Sequence, residues 1–387
     1  MTIPCQRDQF ELPTDILYLN CAYMGPLSQR VRDAGVEALS RKAHPWKIAP
    51  SDFFTDVEKA RELFAEIVGG DPEGVALLPS VSYGIATAAR NLPIAEGSEI
   101  VVLDEQFPSN IYVWKELAKR TGATVRTVPR PADGNWTREI LAALGPQTAA
   151  AALPHCHWTD GTLIDIETVG ARLRDFQAAL VIDGCQSVGA LPIDVQRVQP
   201  DFLVTASYKW LLGPYSHGFL WVAPQWRDGE PLEHNWIGRA NNRDFAALVN
   251  YTDEFASGAR RFDVGEVSNF ALLPATIVAL EQTLSWGIEA IQSTVKSLTD
   301  AIGVGAERLE LGVAPREHRA GHIIGLRLGG RDPSALAAAL AEARVFVSVR
   351  GDSVRVSPHV YNDETDVERF LEVLADALNG IQAPKSI

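Results

Sequence analysis

Residues 179–213 read ALVIDGCQSVGALPIDVQRVQPDFLVTASYKWLLG. Two short apolar runs, 179–182 and 201–206, each end in polar groups: Asp183 after the first, Ser207-Tyr208-Lys209 after the second. Short apolar runs bounded by turn signals are the pattern of parallel strands buried on both faces. In open α/β sheets, ligands sit at the carboxyl ends of the strands. Asp183 and Lys209 are therefore expected to open on one pocket. A lysine there suits pyridoxal phosphate as the amine that links to it, and an aspartate suits its pyridine nitrogen. The same pair would also suit a plain ion pair at a domain surface, and the other strand ends have to decide between the two readings.

Working outward, strands and helices alternate. Strands are predicted over 75–78, 100–103, 124–128, 148–153 and 217–222, the last close enough to its predecessor to be antiparallel. Helices are predicted over 29–42, 51–68, 82–91, 110–120, 137–144 and 167–178, with Ser51 as a candidate cap. This is a doubly wound α/β pattern with a mostly parallel seven-stranded sheet. Near residue 260 it changes. Helices 273–294 and 294–311, strands 322–328, 345–349 and 353–357, and helices 333–343 and 364–379 make a smaller α+β unit. The expected domains are 1–260 and 261–387. The first of the two long helices is the candidate bridge, and an N-terminal arm, 1–28, is placed against the small domain.

The remaining strand ends carry further chemistry. Pro79-Ser80-Val81-Ser82 opens a helix, where free backbone N–H groups attract anions, although serine there is also an ordinary cap. Phe107 follows strand 100–103 and can cover a flat ring, or simply anchor its loop. His155-Cys156-His157 with Asp160 offers metal-ligand residue types. No further cluster completes a set, so satisfied or ring-contacting histidines are expected and no metal. In SVRGDSVRVS, Arg355 among apolar neighbours suits bidentate capture of a carboxylate, while Arg350 reads as a solvated hairpin charge.

Composition bounds the rest. The 387 residues carry a formal charge of −14, which argues against nucleic acid or an anionic membrane as partner. The four cysteines, Cys5, Cys21, Cys156 and Cys185, show no C-x-x-C spacing, and a reducing cytoplasm is expected. The first residues lack a signal-peptide pattern, and no run approaches a membrane span. A nicotinamide enzyme is disfavoured because no G-x-G-x-x-G follows a first strand.

From Tyr18-Leu19-Asn20 to Arg355-Val356-Ser357-Pro358-His359, and most specifically in Asp183-Gly184-Cys185-Gln186-Ser187 and Ser207-Tyr208-Lys209, the chain resembles the class V aminotransferases. These are fold-type I pyridoxal phosphate enzymes that include cysteine desulfurases, kynureninases and isopenicillin N epimerase-like proteins. The resemblance implies pyridoxal 5'-phosphate as cofactor and Lys209 as the Schiff-base lysine. Asp183 would partner the pyridine nitrogen, Gln186 would bond the phenolic oxygen, and Ser80, Val81 and Ser207 would lie at the phosphate. Phe107 would stack on the ring, with His155 beside it, and Arg355 with Asn20 would hold the substrate. It further implies a homodimer with shared sites, in which Ser268 or Asn269 reaches the partner's phosphate, and amino acid and keto acid substrates. The side-chain pocket is expected to draw on 20–23, His157-Trp158 and Arg239. Two departures narrow the activity. Tyr208 precedes the lysine where desulfurases carry His, and no cysteine follows Cys185, so desulfurase chemistry on a mobile-loop thiolate is not expected. Aminotransfer is the first expectation. C–S lysis or β-elimination and epimerisation are the alternatives, and a non-catalytic cofactor-binding protein is the rival of a different class.

Overall fold

The computed structural model describes residues 2–381. Each apolar run of the first half becomes a strand of one sheet: β2 (Val75–Leu78), β3 (Glu99–Leu103), β4 (Thr124–Val128), β5 (Thr148–Pro154), β6 (Ala179–Asp183), β7 (Phe202–Ala206) and β8 (Gly218–Val222). They lie in the order β2-β8-β7-β6-β5-β3-β4. β8 runs antiparallel to both of its neighbours, and the other neighbouring pairs are parallel. Every residue of β6 and of β7 is buried, as expected for strands covered by helices on both faces. The covering helices are α1 (Gln29–Lys42), α2 (Asp52–Ile67), α3 (Val81–Asn91), α4 (Tyr112–Thr121), α5 (Trp136–Ala143), α6 (Ile166–Asp175) and the single turn α7 (Val195–Val198). Ser51 makes no capping hydrogen bond at α2; instead Asp52 accepts from the Ala49 N–H at 2.8 Å.

The small domain contains a three-stranded antiparallel sheet ordered β11 (Ser348–Arg350), β12 (Ser353–Val356), β9 (Ile324–Arg327), with α10 (Pro333–Glu342) and α11 (Glu364–Gly380). The N-terminal arm joins it. β1 (Leu17–Tyr18) pairs in parallel with β10 (Val345–Phe346), and Leu17 and Leu19 sink into the small-domain core beside Val354 and Phe370. Two long helices connect the domains, but they divide at Gly287 rather than near 294. Gly287 adopts φ +79°, a left-handed conformation that favours glycine, and ends α8 (Leu273–Trp286) before α9 (Ile288–Arg308) begins. Leu273, Leu280, Ile288 and Ile291 belong to the large core, while Leu298, Ile302 and Ala306 belong to the small one. The core thus changes inside α9, downstream of the expected boundary at 261, and α9 rather than α8 is the bridge.

One buried ion pair ties the large domain together. Arg61 of α2, 1% exposed, donates to Asp263 at 2.7 Å and to the Val75 carbonyl, and the Leu77 N–H donates to Asp263 at 2.8 Å. Breaking such a pair from one side leaves an uncompensated charge indoors. Asp263→Ala is therefore expected to destabilise the fold by about 3–5 kcal/mol. Urea unfolding checks this, and a loss under about 1 kcal/mol would show the pair to be dispensable.

Candidate active site

Because β6 and β7 are parallel neighbours, Asp183 and the Ser207-Tyr208-Lys209 turn leave the same edge of the sheet. The ends of β2, β3 and β5 deliver the Ser80–Ser82 turn, Phe107 and Trp158 to that edge. Together they enclose a cavity of about 300 Å³, lined by Ser80, Val81, Ser82, Phe107, Trp158, Asp183, Gln186 and Lys209 among others. A second cavity of about 300 Å³ shares Phe107, Trp158, Gln186 and Lys209 with the first and runs on to Tyr23, Arg350 and Arg355. Lys209 stands where the two meet. The arm closes over it: the Gly25 N–H donates to the Tyr208 carbonyl at 2.9 Å, and a Cβ at position 25 would collide with the Lys209 carbonyl, so the close approach requires glycine.

The electrostatics of this edge suit an anionic, aromatic guest. Lys209 is 6% exposed and, among the described residues, makes no ion pair; its amine lies 3.5 Å from the Cys185 thiol and 5.7 Å from the Phe107 ring centroid. Burial works to lower its pKa, but Cys185, Tyr208 and Asp183 together hold it above the ordinary lysine value. Burial pushes the Asp183 carboxyl up, against the Cys185 N–H donated at 3.0 Å and the nearby Lys209. Ser80 caps α3, and the first N–H groups of an α-helix have no intrahelical acceptors. Arg355 is 1% exposed; it donates to the Trp158 carbonyl at 2.7 Å, while its Nε and Nη2 are buried without a partner. Burial, with Arg350 adding to it, pulls this guanidinium down to about 9. A buried cation with idle donors is arranged for an anion.

Some sequence-assigned residues lie elsewhere. Ser207 is 1% exposed, outside the cavity lining, and donates to the Pro214 carbonyl at 2.7 Å, so it closes the lysine turn instead of facing a phosphate. His155 follows Pro154, which does line the cavity, and strand alternation turns it to a different cleft beside Ile67 and Ile164. The Asn20 side chain accepts from Ser348 at 2.7 Å and donates to the Val347 carbonyl, clasping the arm to the small domain away from the cavity. Ser268 donates to the Phe53 carbonyl, Asn269 accepts the N–H groups of Ala271 and Leu272, and neither lines the cavity of its own chain. Gln186 does line it, although its amide already donates to the Ala22 carbonyl and accepts from Trp210. Of the expected side-chain pocket, Tyr23 and Trp158 are in place. His157 stacks on Trp136 at 5.2 Å, and Arg239 donates to the Asp253 carbonyl. Sequence reasoning missed Cys185, Tyr215 and His217 in the lining. The last two precede β8; because that strand is antiparallel, its beginning lies at the ligand edge, where only strand ends were searched.

The histidines around the site are held neutral. Burial lowers His155, His157, His217 and His322 to about 4, and His359 to about 3. Their folded values lie below the unfolded value of about 6.5. The unfolded chain thus binds more protons, and stability is lost as pH falls from about 6.5 towards about 4. Each histidine is expected to cost on the order of 1 kcal/mol by about pH 5.5. A melting temperature unchanged between pH 7 and pH 5.5 would contradict this. Among the described residues no group of three or more His, Cys, Asp or Glu is placed to hold a metal ion.

A doubly wound sheet with a buried lysine, an aspartate and a helix N-terminus at one edge, under a small domain that contributes an arginine, defines a fold-type I pyridoxal phosphate enzyme. The aminotransferase class-V family model matches residues 46–370, and the chain belongs to that family. It is a pyridoxal-phosphate-dependent enzyme of amino acids. An uncharacterized aminotransferase of Bacillus subtilis is 28% identical over 94% of this chain and 95% of its own. The isopenicillin N epimerase of Streptomyces clavuligerus is 28% identical over 97% of this chain and 98% of its own. Among solved structures, the apo cysteine desulfurase of Thermococcus onnurineus superposes with a TM-score of 0.85 at 21% identity, covering 98% of this chain and 100% of that one. The cystine C-S lyase C-DES, in complex with cysteine persulfide, gives 0.83 at 22%, covering 94% and 98%. At those identities the structural likeness speaks for the fold alone.

Proposed function

We propose that the protein is an aminotransferase, with Lys209 as the proton carrier at the substrate Cα. The observation that carries this is the position of Lys209: a buried amine that, among the described residues, makes no ion pair and stands at the junction of two cavities, 5.7 Å from the Phe107 ring centroid. One amine beside Cα would suffice to take the proton and return it for aminotransfer, whereas two-base epimerisation would also have to use one of the tyrosines that line these cavities, Tyr23, Tyr208 or Tyr215.

When bound, pyridoxal phosphate supplies a covalent link to the amino group and an electron sink for charge at Cα. The Ser80–Ser82 turn would hold its phosphate through the α3 N–H groups and small hydroxyls. Asp183 would keep the pyridine nitrogen protonated, Gln186 would donate to the phenolic oxygen, and Phe107 would cover the ring. Arg355 would clamp the substrate carboxylate through its idle Nε and Nη2. That clamp turns Cα towards Lys209 and converts binding into orientation. Cys185 keeps the amine company as a neutral thiol, because burial raises its pKa despite Lys209.

A homodimer with Ser268 or Asn269 near the partner's phosphate, and a cytoplasmic site of action, belong to the same proposal. Among the described residues no helix is long and apolar enough to cross a membrane. The test is product balance. The holoenzyme with an amino acid and a 2-keto acid should yield a new amino acid and a new keto acid in equal amounts. Free ammonia without a new amino acid would establish elimination instead, and inversion at Cα without a keto acid would establish epimerisation.

A further inference from the structure

Arg350 reads from sequence as a solvated charge at a hairpin turn, and the structure places it differently. In the β11–β12 hairpin Ser348 faces Arg355 and Arg350 faces Ser353. Strand alternation then sets Ser348, Arg350, Ser353 and Arg355 on one face, with Val354 and Val356 buried in the small-domain core on the other. Both arginines line the cavity that Lys209 shares. The Arg350 guanidinium lies 5.3 Å from the Trp158 ring centroid, its Nη1 donates to the Val349 carbonyl at 2.6 Å, and its Nε is buried without a partner. Among the described residues neither arginine makes an ion pair, and no carboxylate lines this cavity.

Two guanidiniums in one small cavity, without a counter-charge, repel each other across a poorly screened space. One substrate carboxylate answers only one of them. Arg355 is the deeper and sits by Lys209, where the α-carboxylate belongs. Arg350 lies towards the turn, against the indole of Trp158 and with its Nε still without a partner. We infer that the side chain of the substrate ends in a second carboxylate, held by Arg350, and that the enzyme acts on acidic, dicarboxylic amino acids. The inference rests on the pyridoxal phosphate reading and names the substrate class of that site. It also gives the chain, at −14 overall, a local positive site for an anionic ligand.

The experiment separates the two levels. A holoenzyme without a visible cofactor band would remove the functional reading itself. With the band present, calorimetric titration with succinate, glutarate and adipate is compared with butyrate and valerate, none of which has an amino group to react. The dicarboxylates should bind at least about tenfold more tightly, as expected for one added charge-assisted contact. Absorbance titrations with L-aspartate, L-glutamate and L-2-aminoadipate against L-asparagine, L-glutamine and L-norleucine should show the same order. Arg350→Gln should collapse the dicarboxylate-to-monocarboxylate affinity ratio by about ten- to a hundredfold, and Arg350→Lys should restore part of it. Arg355→Gln should weaken both ligand classes together. Equal affinity of the two classes for the wild type, or an Arg350→Gln protein that keeps the wild-type ratio, overturns the inference.

Discussion

Lys209→Ala is expected to leave a folded protein that no longer fixes pyridoxal phosphate on borohydride treatment, and to lower turnover by at least about a thousandfold. The geometry gives two reasons. First, Lys209 is 6% exposed and lies against Cys185 and Phe107, so no other described amine lines this cavity to replace it. Second, it lines both cavities, so on the proposed reading one truncation would remove the covalent anchor and the proton carrier at Cα together. The truncation also takes away one of the two groups that hold down the Asp183 carboxyl, leaving the Cys185 N–H. Intact mass after borohydride reports the anchor independently of activity. A Lys209→Ala protein that gains the cofactor's mass as the wild type does would remove Lys209 from its role. If the adduct is lost but turnover stays within about tenfold, the proton must move through another group.

What the sequence disclosed and what it hid follow from the direction in which each signal acts. Apolar runs such as 75–78 and 179–182 fall in β2 and β6, because a strand buried on both faces has no other way to read. Asp183, Phe107 and Lys209 were found by looking just beyond such runs, which works for parallel strands with a common ligand edge. The same rule fails where geometry departs from it. Tyr215 and His217 were overlooked because β8 enters the edge at its start. His155 and Ser207 were assigned by position along the chain, but each sits one residue beyond a cavity-lining residue, Pro154 and Ala206, and the pleat turns it away. Arg350 needed the hairpin register, since five residues of separation say nothing of face until Gly351, at φ +58°, sets the turn. The junction of α8 and α9 was placed seven residues late for a similar reason: apolar spacing continues through Gly287, and only its left-handed conformation separates the helices.

Asp183→Asn is the sharper test of the chemistry, because it changes a charge and almost no volume. The side chain sits at the end of β6, 7% exposed, with its Oδ1 taking the Cys185 N–H. An asparagine can keep that bond through its own oxygen, so the fold and the phosphate turn at α3 should be undisturbed and the cofactor should still bind. What it cannot do is favour a proton on a ring nitrogen beside it, since a neutral amide has no charge to set against a pyridinium. In the wild type, burial pushes the carboxyl towards its neutral form while Lys209 and the Cys185 N–H oppose that shift. A cation beside it adds to the opposing side and favours the carboxylate. On the proposed reading, the electron sink would depend on this one carboxylate in a place where water cannot substitute for it. Turnover of Asp183→Asn should fall by roughly a hundred- to a thousandfold, the scale on which removal of one preorganised electrostatic partner acts. Cofactor affinity should fall far less, and Asp183→Glu should recover part of the rate. The absorbance of bound cofactor, followed against pH, reads the ring nitrogen directly: its titration should move to lower pH in Asp183→Asn. An unmoved titration with turnover within tenfold of wild type would show that the carboxylate merely supports the strand end, and the electron sink would need another origin.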